Sequence, residues 1–308
     1  MLELSVYRLH LRGSGAVATP PPLAIWRSAW GAALRQMACV TGAKQCTGCP
    51  VPASCNYRRI FDPLPPPAHA LGSLSAVPPP YVLNEVSATA SGCCLEFVLM
   101  GPAQEQIGLV LASLAKTGRN GVGKARLMYA PDRLMRLEQG RWCPDSSVPT
   151  QAPSLCLGPL TVAAPRERGE LVIELQSPLR LQEGGQILRP DRFTASRWLI
   201  GLVRRLGLLC DLYGKPLGLD FAQMTAWSRE VTMPEAELRW MHETRWSSRQ
   251  GQCHPTSGIV GRFRMSGPLA PFEKLLQIGV HLHVGKQAAF GNGRYRVAAV
   301  TTADSASL

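Results

Sequence analysis

Cys39, Cys46, Cys49 and Cys55 follow the pattern C-x6-C-x2-C-x5-C. Thiolates at this spacing can wrap a tetrahedral zinc ion; a redox pair or unliganded thiols are the competing readings. Any such metal would be structural, stapling a loop. A second stretch, Gly118-Arg-Asn-Gly-Val-Gly-Lys124, has the G-x-x-x-x-G-K spacing of a phosphate-binding P-loop. Ala125 stands where a serine or threonine should hold magnesium, and the segment leads from a helix into a strand, the reverse of the required order, so the P-loop reading is rejected. The surviving chemistry is more general. Glycines let backbone N–H groups approach phosphate oxygens, and Arg119 and Lys124 supply charge. The competing reading is an ordinary glycine turn.

The C-terminal run Gly279-Val-His-Leu-His-Val-Gly-Lys-Gln-Ala-Ala-Phe-Gly-Asn-Gly-Arg-Tyr-Arg296 is denser. It sets Gly285, Gly291 and Gly293 beside Lys286, Arg294 and Arg296, a combination that a solvated turn does not require. His281 and His283 adjoin it, and alternation along a strand would put both on one face. They serve either as a proton shuttle or as caps on backbone groups.

These residues need a scaffold, and the hydrophobic pattern supplies one. Residues 2–11 alternate as a strand. Residues 23–40 form a helix whose apolar stripe is Trp26, Trp30, Ala33, Leu34 and Met37, with Arg27 and Arg35 beside or opposite it. A cysteine-rich turn region (39–55) and a proline-rich stretch (63–80) follow. Then come a strand at 95–100, a helix at 104–116 and a strand at 125–130. A proline- and glycine-rich segment from 144 to about 169 separates this half from a second with the same order: strand 170–176, helix 192–209, strand 259–265, short helix 271–276 and strand 294–300. Split βαβ units of this kind build ferredoxin-like domains, so the expectation is an α+β protein with two of them in tandem. Residues 1–160 would hold the first, with its Cys- and Pro-rich insertion, and residues 161–308 the second, with the glycine-rich loop. The letters themselves repeat. Leu114, Gly118, Val122, Gly123 and Lys124 parallel Leu276, Gly279, Val284, Gly285 and Lys286.

Composition narrows the partners. The 308 residues carry 33 Lys+Arg against 21 Asp+Glu, a formal net charge of +12, and 45% are hydrophobic. That apolar fraction suffices for a core and excludes a disordered polyelectrolyte. Lysine occurs only at positions 44, 116, 124, 215, 274 and 286, so arginine carries most of the excess. Guanidinium groups grip phosphates bidentately and stack on bases, which favours nucleic acid over a merely soluble basic surface. No apolar run nears the roughly 20 residues of a membrane span, and the N-terminus lacks the pattern of a signal peptide. A cytoplasmic protein with its cysteines mostly reduced is expected, with Cys93 and Cys94 as core fillers. Aromatic content is 6%. No strand carries an aromatic run of the RRM kind, so base stacking on a sheet is not expected.

The C-terminal run resembles the glycine-rich signature of the CRISPR-associated endoribonucleases that process precursor CRISPR RNA, members of the RAMP superfamily. Arg245-Trp-Ser-Ser-Arg-Gln250, Gly258-Ile-Val-Gly261, Gly267-Pro-Leu-Ala-Pro-Phe272, Ser177-Pro-Leu-Arg180 and the helix bearing Arg204, Arg205 and Leu206 extend the resemblance, as do Cys46-Thr-Gly-Cys-Pro50, Cys55, Tyr57 and Phe61. It implies tandem ferredoxin-like domains and a metal-independent cut within the CRISPR repeat, in which a ribose 2′-hydroxyl attacks the adjacent phosphate to leave a 2′,3′-cyclic phosphate and a 5′-hydroxyl. No catalytic cofactor is implied. Retention of the mature RNA for assembly with other Cas subunits is a further expectation, and a RAMP subunit that binds the repeat hairpin without cutting is the alternative.

Members often place a histidine just after the first helix. This chain departs from that pattern, having no histidine between His10 and His69. Catalysis would then rest on Arg27, Arg35 and Lys44, which fix the phosphate and stabilise charge, or on His281 or His283 as the shuttle. Arg245, Arg249, Gln250 and the two glycine loops would hold the phosphates and groove of the repeat hairpin.

Overall fold

The structure, a computed structural model, describes residues 1–14, 19–43, 46, 48–65, 77–145, 153–160, 168–247 and 252–298, with only the backbone at 245–247 and 252–255. The chain divides into two compact units, one spanning Leu2–Cys156 and the other beginning at Leu157. The proline-rich stretch at 63–80 lies largely outside the described residues, as does much of the segment between the units.

In the first unit the order is β1 (Leu2–Gly13), α1 (Leu23–Ala38), α2 (Asn56–Ile60), β2 (Tyr81–Thr89), β3 (Gly92–Met100), α3 (Ile107–Asn120), β4 (Tyr129–Glu138), β5 (Arg141–Pro144) and β6 (Leu155–Leu157). The sheet runs β2-β3-β1-β4-β5, with β6 against β1. Its first four strands pair antiparallel in the ferredoxin-like order. The second unit contains β7 (Gly169–Leu179), β8 (Gln182–Glu183), β9 (Gln186–Ile187), α4 (Ala195–Tyr213), α5 (Phe221–Arg229), β10 (Ala236–Met241), β11 (Thr244–Ser247), β12 (Gln252–Pro255), β13 (Gly258–Gly267), α6 (Glu273–Leu282) and β14 (Tyr295–Ala298). Its sheet, β10-β13-β7-β14, has the same order as β2-β3-β1-β4. The fold is therefore two ferredoxin-like domains in tandem. The four-stranded core of each has one strand that the sequence pattern does not mark, β2 in the first and β10 in the second; β5, β6, β8, β9, β11 and β12 are further short strands outside those cores.

The duplication extends to the packing. Trp26, four residues into α1, lies 5.1 Å from the ring of Tyr129, the first residue of β4. Trp198, four residues into α4, lies 4.9 Å from Tyr295, the first residue of β14. A glycine gives each tyrosine its place: a Cβ on Gly118 would come within 2.1 Å of the Tyr129 carbonyl oxygen, and one on Gly279 within 2.3 Å of the Tyr295 hydroxyl. The Tyr295 hydroxyl donates to the Leu276 carbonyl at 2.8 Å, which satisfies a phenol buried to 0% exposure.

Trp26, Trp30, Ala33 and Leu34 face inward from α1 as the spacing predicts, but Met37 is 42% exposed because the helix overruns its sheet there. The Trp30 indole N–H donates to Ser113 Oγ at 2.8 Å and ties α1 to α3. Cys93 and Cys94 are buried in β3. The segment between α1 and β2 is pinned by Phe61, whose ring lies over Gly31 and packs on Trp30 at 5.5 Å and Tyr81 at 5.8 Å. Tyr57, one helical turn earlier, stacks on Phe61 at 5.5 Å.

Two boundaries differ from the sequence reading and matter below. Residues 121–128 form a glycine turn, so the strand expected at 125–130 begins at Tyr129. The short helix expected at 271–276 continues to Leu282, so His281 is helical and His283 is the cap; the two do not alternate along a strand.

Gly261 tests the sheet geometry. Its φ of +127° disfavours any side chain, and a Cβ there would meet the Glu237 carbonyl oxygen at 2.0 Å. Gly261→Ala should lose about 2–4 kcal/mol in denaturant unfolding, against about 1 kcal/mol for Gly140→Ala, where φ is also positive but the space is open.

Candidate nucleic-acid interface

Four of the sequence motifs meet at the C-terminal end of β7. The Ser177 hydroxyl donates to the Gly291 carbonyl at 2.6 Å and accepts from the Arg294 amide at 2.8 Å. The Gly293 amide donates to Pro178 and the Lys286 amide to Arg180, at 3.0 and 2.9 Å. Glycine is needed at two points by close approach: a Cβ on Gly293 would fall 1.8 Å from the Val284 carbonyl oxygen, and one on Gly285 2.6 Å from that of Arg180. Residues 177–180 and the glycine-rich loop thus form one hydrogen-bonded unit.

Two buried arginines brace it. Arg180, 9% exposed, donates to the Ser257 carbonyl, next to Gly258, whose own Cβ would strike the Leu179 carbonyl oxygen. Arg205 sends Nε to the carbonyls of Leu282 and His283 at 2.8 and 3.1 Å. Burial pushes its guanidinium down to about 10. Arg205 lies on the 198-202-205-209 stripe of α4, and a charge on an otherwise buried stripe is the sequence signal that marks it. Arg204, its neighbour, instead lies 5.2 Å over the Phe221 ring.

The loop spends much of its backbone internally. The amides of Lys286, Phe290, Gly291, Gly293 and Arg294 all donate within the protein. Those N–H groups are not available as a phosphate cradle, contrary to the expectation from the glycines. What the loop offers outward is charge: Lys286 is exposed, and Arg294 is half-buried with Nε on Gln176 Oε1 at 2.8 Å.

His283 corrects the expected shuttle. It is 0% exposed, and neither ring nitrogen has a hydrogen-bond partner. Its backbone, φ +60° and ψ 176°, lies in a region that only glycine enters without strain. Burial, then the charges of Arg205, Arg294 and His281, hold its pKa well below the ordinary value; the nearby Asn292 backbone favours the charged form slightly without meeting hydrogen-bond geometry. A neutral, enclosed imidazole has no access to a scissile ribose. His281 is half-buried at the end of α6.

The first unit repeats this joint. Gly121, at φ +81°, caps α3 where His283 caps α6; Val122 and Val284 are both 0% exposed, and Gly123 and Gly285 have φ +77° and +86°. Val122 and Leu127 exchange backbone hydrogen bonds, closing a turn that exposes Arg119, Lys124 and Arg126. Arg126, at φ +51°, escaped the sequence reading, which took it for part of a strand. Gly123 lies against Pro21 and Ile25, so this basic turn sits at the start of α1.

Along α1, Arg27 donates Nε to the Tyr81 hydroxyl at 2.8 Å, and its guanidinium lies 4.4 Å over the Phe61 ring. Burial raises the Tyr81 phenol to about 12, so it stays protonated as that partner. Arg35 donates to the Ala43 carbonyl. Eight residues of helix set the two arginines about 12 Å apart along the axis, each with its own partners rather than in one cluster. Lys44, Arg249 and Gln250 lie outside the described residues, and Arg245 is described only as backbone in the β11–β12 hairpin. Cys39, Cys46, Cys49 and Cys55 are unbridged and line one cavity.

Comparison with known proteins agrees with this arrangement. Residues 173–295 match the family described as CRISPR-associated endoribonuclease Cas6, and residues 2–150 match an N-terminal domain family, AF_1859_N. No curated protein matches the chain by sequence. Among solved structures, a Cas6 product complex superposes with a TM-score of 0.54 at 17% identity, covering 97% of this chain and 100% of that one. A Cas6 from Thermus thermophilus gives 0.54 at 11% identity, covering 97% and 99%. At such identities these structures speak to the fold alone. With much of β7, the braced glycine loop and the first residue of β14 inside the matched segment, the second domain of the chain is similar to the family described as CRISPR-associated endoribonuclease Cas6.

Proposed function

We propose that this protein cuts precursor CRISPR RNA within the repeat and keeps the mature RNA for assembly with other Cas subunits, in the cytoplasm. The observation that carries the reading is the braced loop at the end of β7, which holds Lys286 and Arg294 in place for a phosphate backbone within the segment that matches the family. The exposed turn with Arg119, Lys124 and Arg126 supplies a second grip, and the segment Arg245-Trp-Ser-Ser-Arg-Gln250, described only as far as Ser247, a third. No helix among the described residues is long and apolar enough to cross a membrane.

The reaction needs no metal at the scissile phosphate. The 2′-hydroxyl oxygen bonds to phosphorus, the bond to the 5′-oxygen breaks, and one proton passes from the attacking to the leaving oxygen, giving a 2′,3′-cyclic phosphate and a 5′-hydroxyl. With His283 enclosed and no histidine following α1, the rate comes from in-line placement of the strand and from Arg27, Arg35 and Lys44 stabilising the phosphorane. A non-cutting RAMP subunit is the second reading, favoured by that same absence of a histidine.

Labelled repeat RNA incubated with the protein in EDTA separates the two. Cleavage that vanishes with a single 2′-deoxy substitution is expected; tight binding without product would establish the non-cutting subunit. Conservative Arg27→Lys and Arg35→Lys variants should each lower the single-turnover rate about 10²-fold with RNA affinity unchanged. Lys286→Ala should weaken binding to all repeats alike and reduce the slope of log affinity against log salt by about 1.

His283→Gly should cleave at pH 7 within about threefold of the parent, where loss of a proton shuttle would cost 10²-fold or more. The same variant should change acid stability. A folded-state pKa held below 6.5 stabilises the protein above pH 6.5 and loses that stability as pH falls, by up to about 1.4 kcal/mol per unit. Unfolding at pH 7.5 and 5.5 should therefore show a smaller acid loss in the variant; equal losses would remove His283 as the source.

A further inference from the structure

The segment joining α1 to α2 has no core of its own. From Cys39 to Cys55 no described residue is buried, and Val40 and Val51 are 85% and 37% exposed. Hydrophobic burial therefore supplies little to order it. What its inner side does hold is sulfur. Cys39 is the C-cap of α1, Cys55 the N-cap of α2, and Cys46 and Cys49 flank a tight turn in which the Cys49 amide donates to the Cys46 carbonyl at 3.4 Å around Gly48, at φ +73°. All four side chains line a single cavity of about 20 Å³, and none is in a disulfide.

We infer that Cys39, Cys46, Cys49 and Cys55 take one zinc ion and that this ion clamps the end of α1 to the start of α2. The chemistry fits in three ways. Four sulfurs from two caps and one turn match the donor number and softness of a closed structural zinc site. The cavity has room for one water-sized body, which suits a single ion and not an iron–sulfur cluster. Arg35 and Arg58 stand in the same wall, where they offset the two negative charges left when four thiolates surround Zn²⁺; the Asp62 carboxylate balances part of Arg58. Binding releases four protons, one from each thiol.

Among the described residues no three ligating groups are already gathered about one centre, so uptake of the ion includes an inward closing of the thiols. The turn glycines, Gly42 at φ +64° and Gly48, have no atoms near them to resist it. The clamp would also act on Arg35, which lines the cavity and donates to the Ala43 carbonyl.

The inference goes beyond the cleavage reading and is tested apart from it. The full chain, purified with zinc present and freed of unbound metal, should contain about one zinc per molecule. Cys49→Ser and Cys55→Ser should each reduce that content at least about fivefold. Wild-type protein loaded with cobalt(II) should show the absorption of a tetrahedral thiolate site, and chelation should open residues 40–55 to protease while the rest stays resistant. Wild-type protein that binds no zinc overturns the proposal, whether its four thiols react freely under native conditions or Cys46 and Cys49 are joined in a disulfide. Metal content and protease pattern do not depend on RNA cleavage, so either proposal can fail while the other stands.

Discussion

A loop with three glycines in nine residues, 285–293, is costly to order, since glycine loses more backbone freedom than any other residue. In this chain the hydrogen bonds between residues 177–180 and the glycine-rich loop offset that cost. They work because β7 is an inner strand, paired with β13 on one side and β14 on the other, and so cannot move with the loop. Arg180 and Arg205 extend the constraint to Ser257 and to the end of α6. Buried guanidiniums are expensive to desolvate, and each here finds backbone carbonyls as partners. The position of Lys286 and Arg294 is thus a property of the sheet rather than of a surface turn.

The two units share one joint, and its differences are informative. Gly121 accepts a positive φ without strain, whereas His283 carries the corresponding strain, on the order of 1–3 kcal/mol, with a buried imidazole lacking any hydrogen-bond partner. A costly residue at that point shifts attention from proton transfer to shape. The imidazole is fully enclosed, near enough to Arg205, Arg294 and His281 to feel their charges. Its spacing to His281 suggested a pair on one strand face, and only the length of α6 shows otherwise.

Most of the fold was legible because its central strands and helices bury one face. Leu2, Leu4 and Val6 along one face of β1, and the Trp26, Trp30 and Leu34 stripe in α1, announce themselves by period. The two core strands that were not legible, β2 and β10, occupy the same place in each sheet. Both are edge strands, and β10 exposes Glu237, Arg239 and Met241 on one side while only half-burying Leu238 and Trp240 on the other. Little apolar contrast remains to mark a strand there. At the candidate site, residue types marked the loops but not how their backbone is used: Gly293 and Gly285, read as room for phosphate, are room for Val284 and Arg180. The basic turn ending in Arg126 was hidden because a strand was expected where the chain turns.

Net charge alone would have put RNA on the open sheet faces, and the ion pairs argue against it for the second unit. Across β10, β13, β7 and β14 run Glu237, Arg262, Glu174 and Arg296 in register, an alternating ladder with Arg262 bidentate on Glu237 and Arg296 on Glu174 at 2.6 Å. Arg264 is shared between Glu170 and Glu235. These exposed pairs add little stability, but they leave that face close to neutral and without an aromatic platform. In the first unit Arg8 is likewise paired with Glu96 and lies 3.9 Å over Trp142. Arg119, Lys124, Arg126 and Lys286 are among the cations that have no ion-pair partner among the described residues, and they stand on or beside the two equivalent glycine turns. Counterion release depends on cations that the protein itself has not already neutralised. The two glycine turns, each carrying Val-Gly-Lys, thus keep cations that the protein has not paired, which is the property the proposed RNA contact requires.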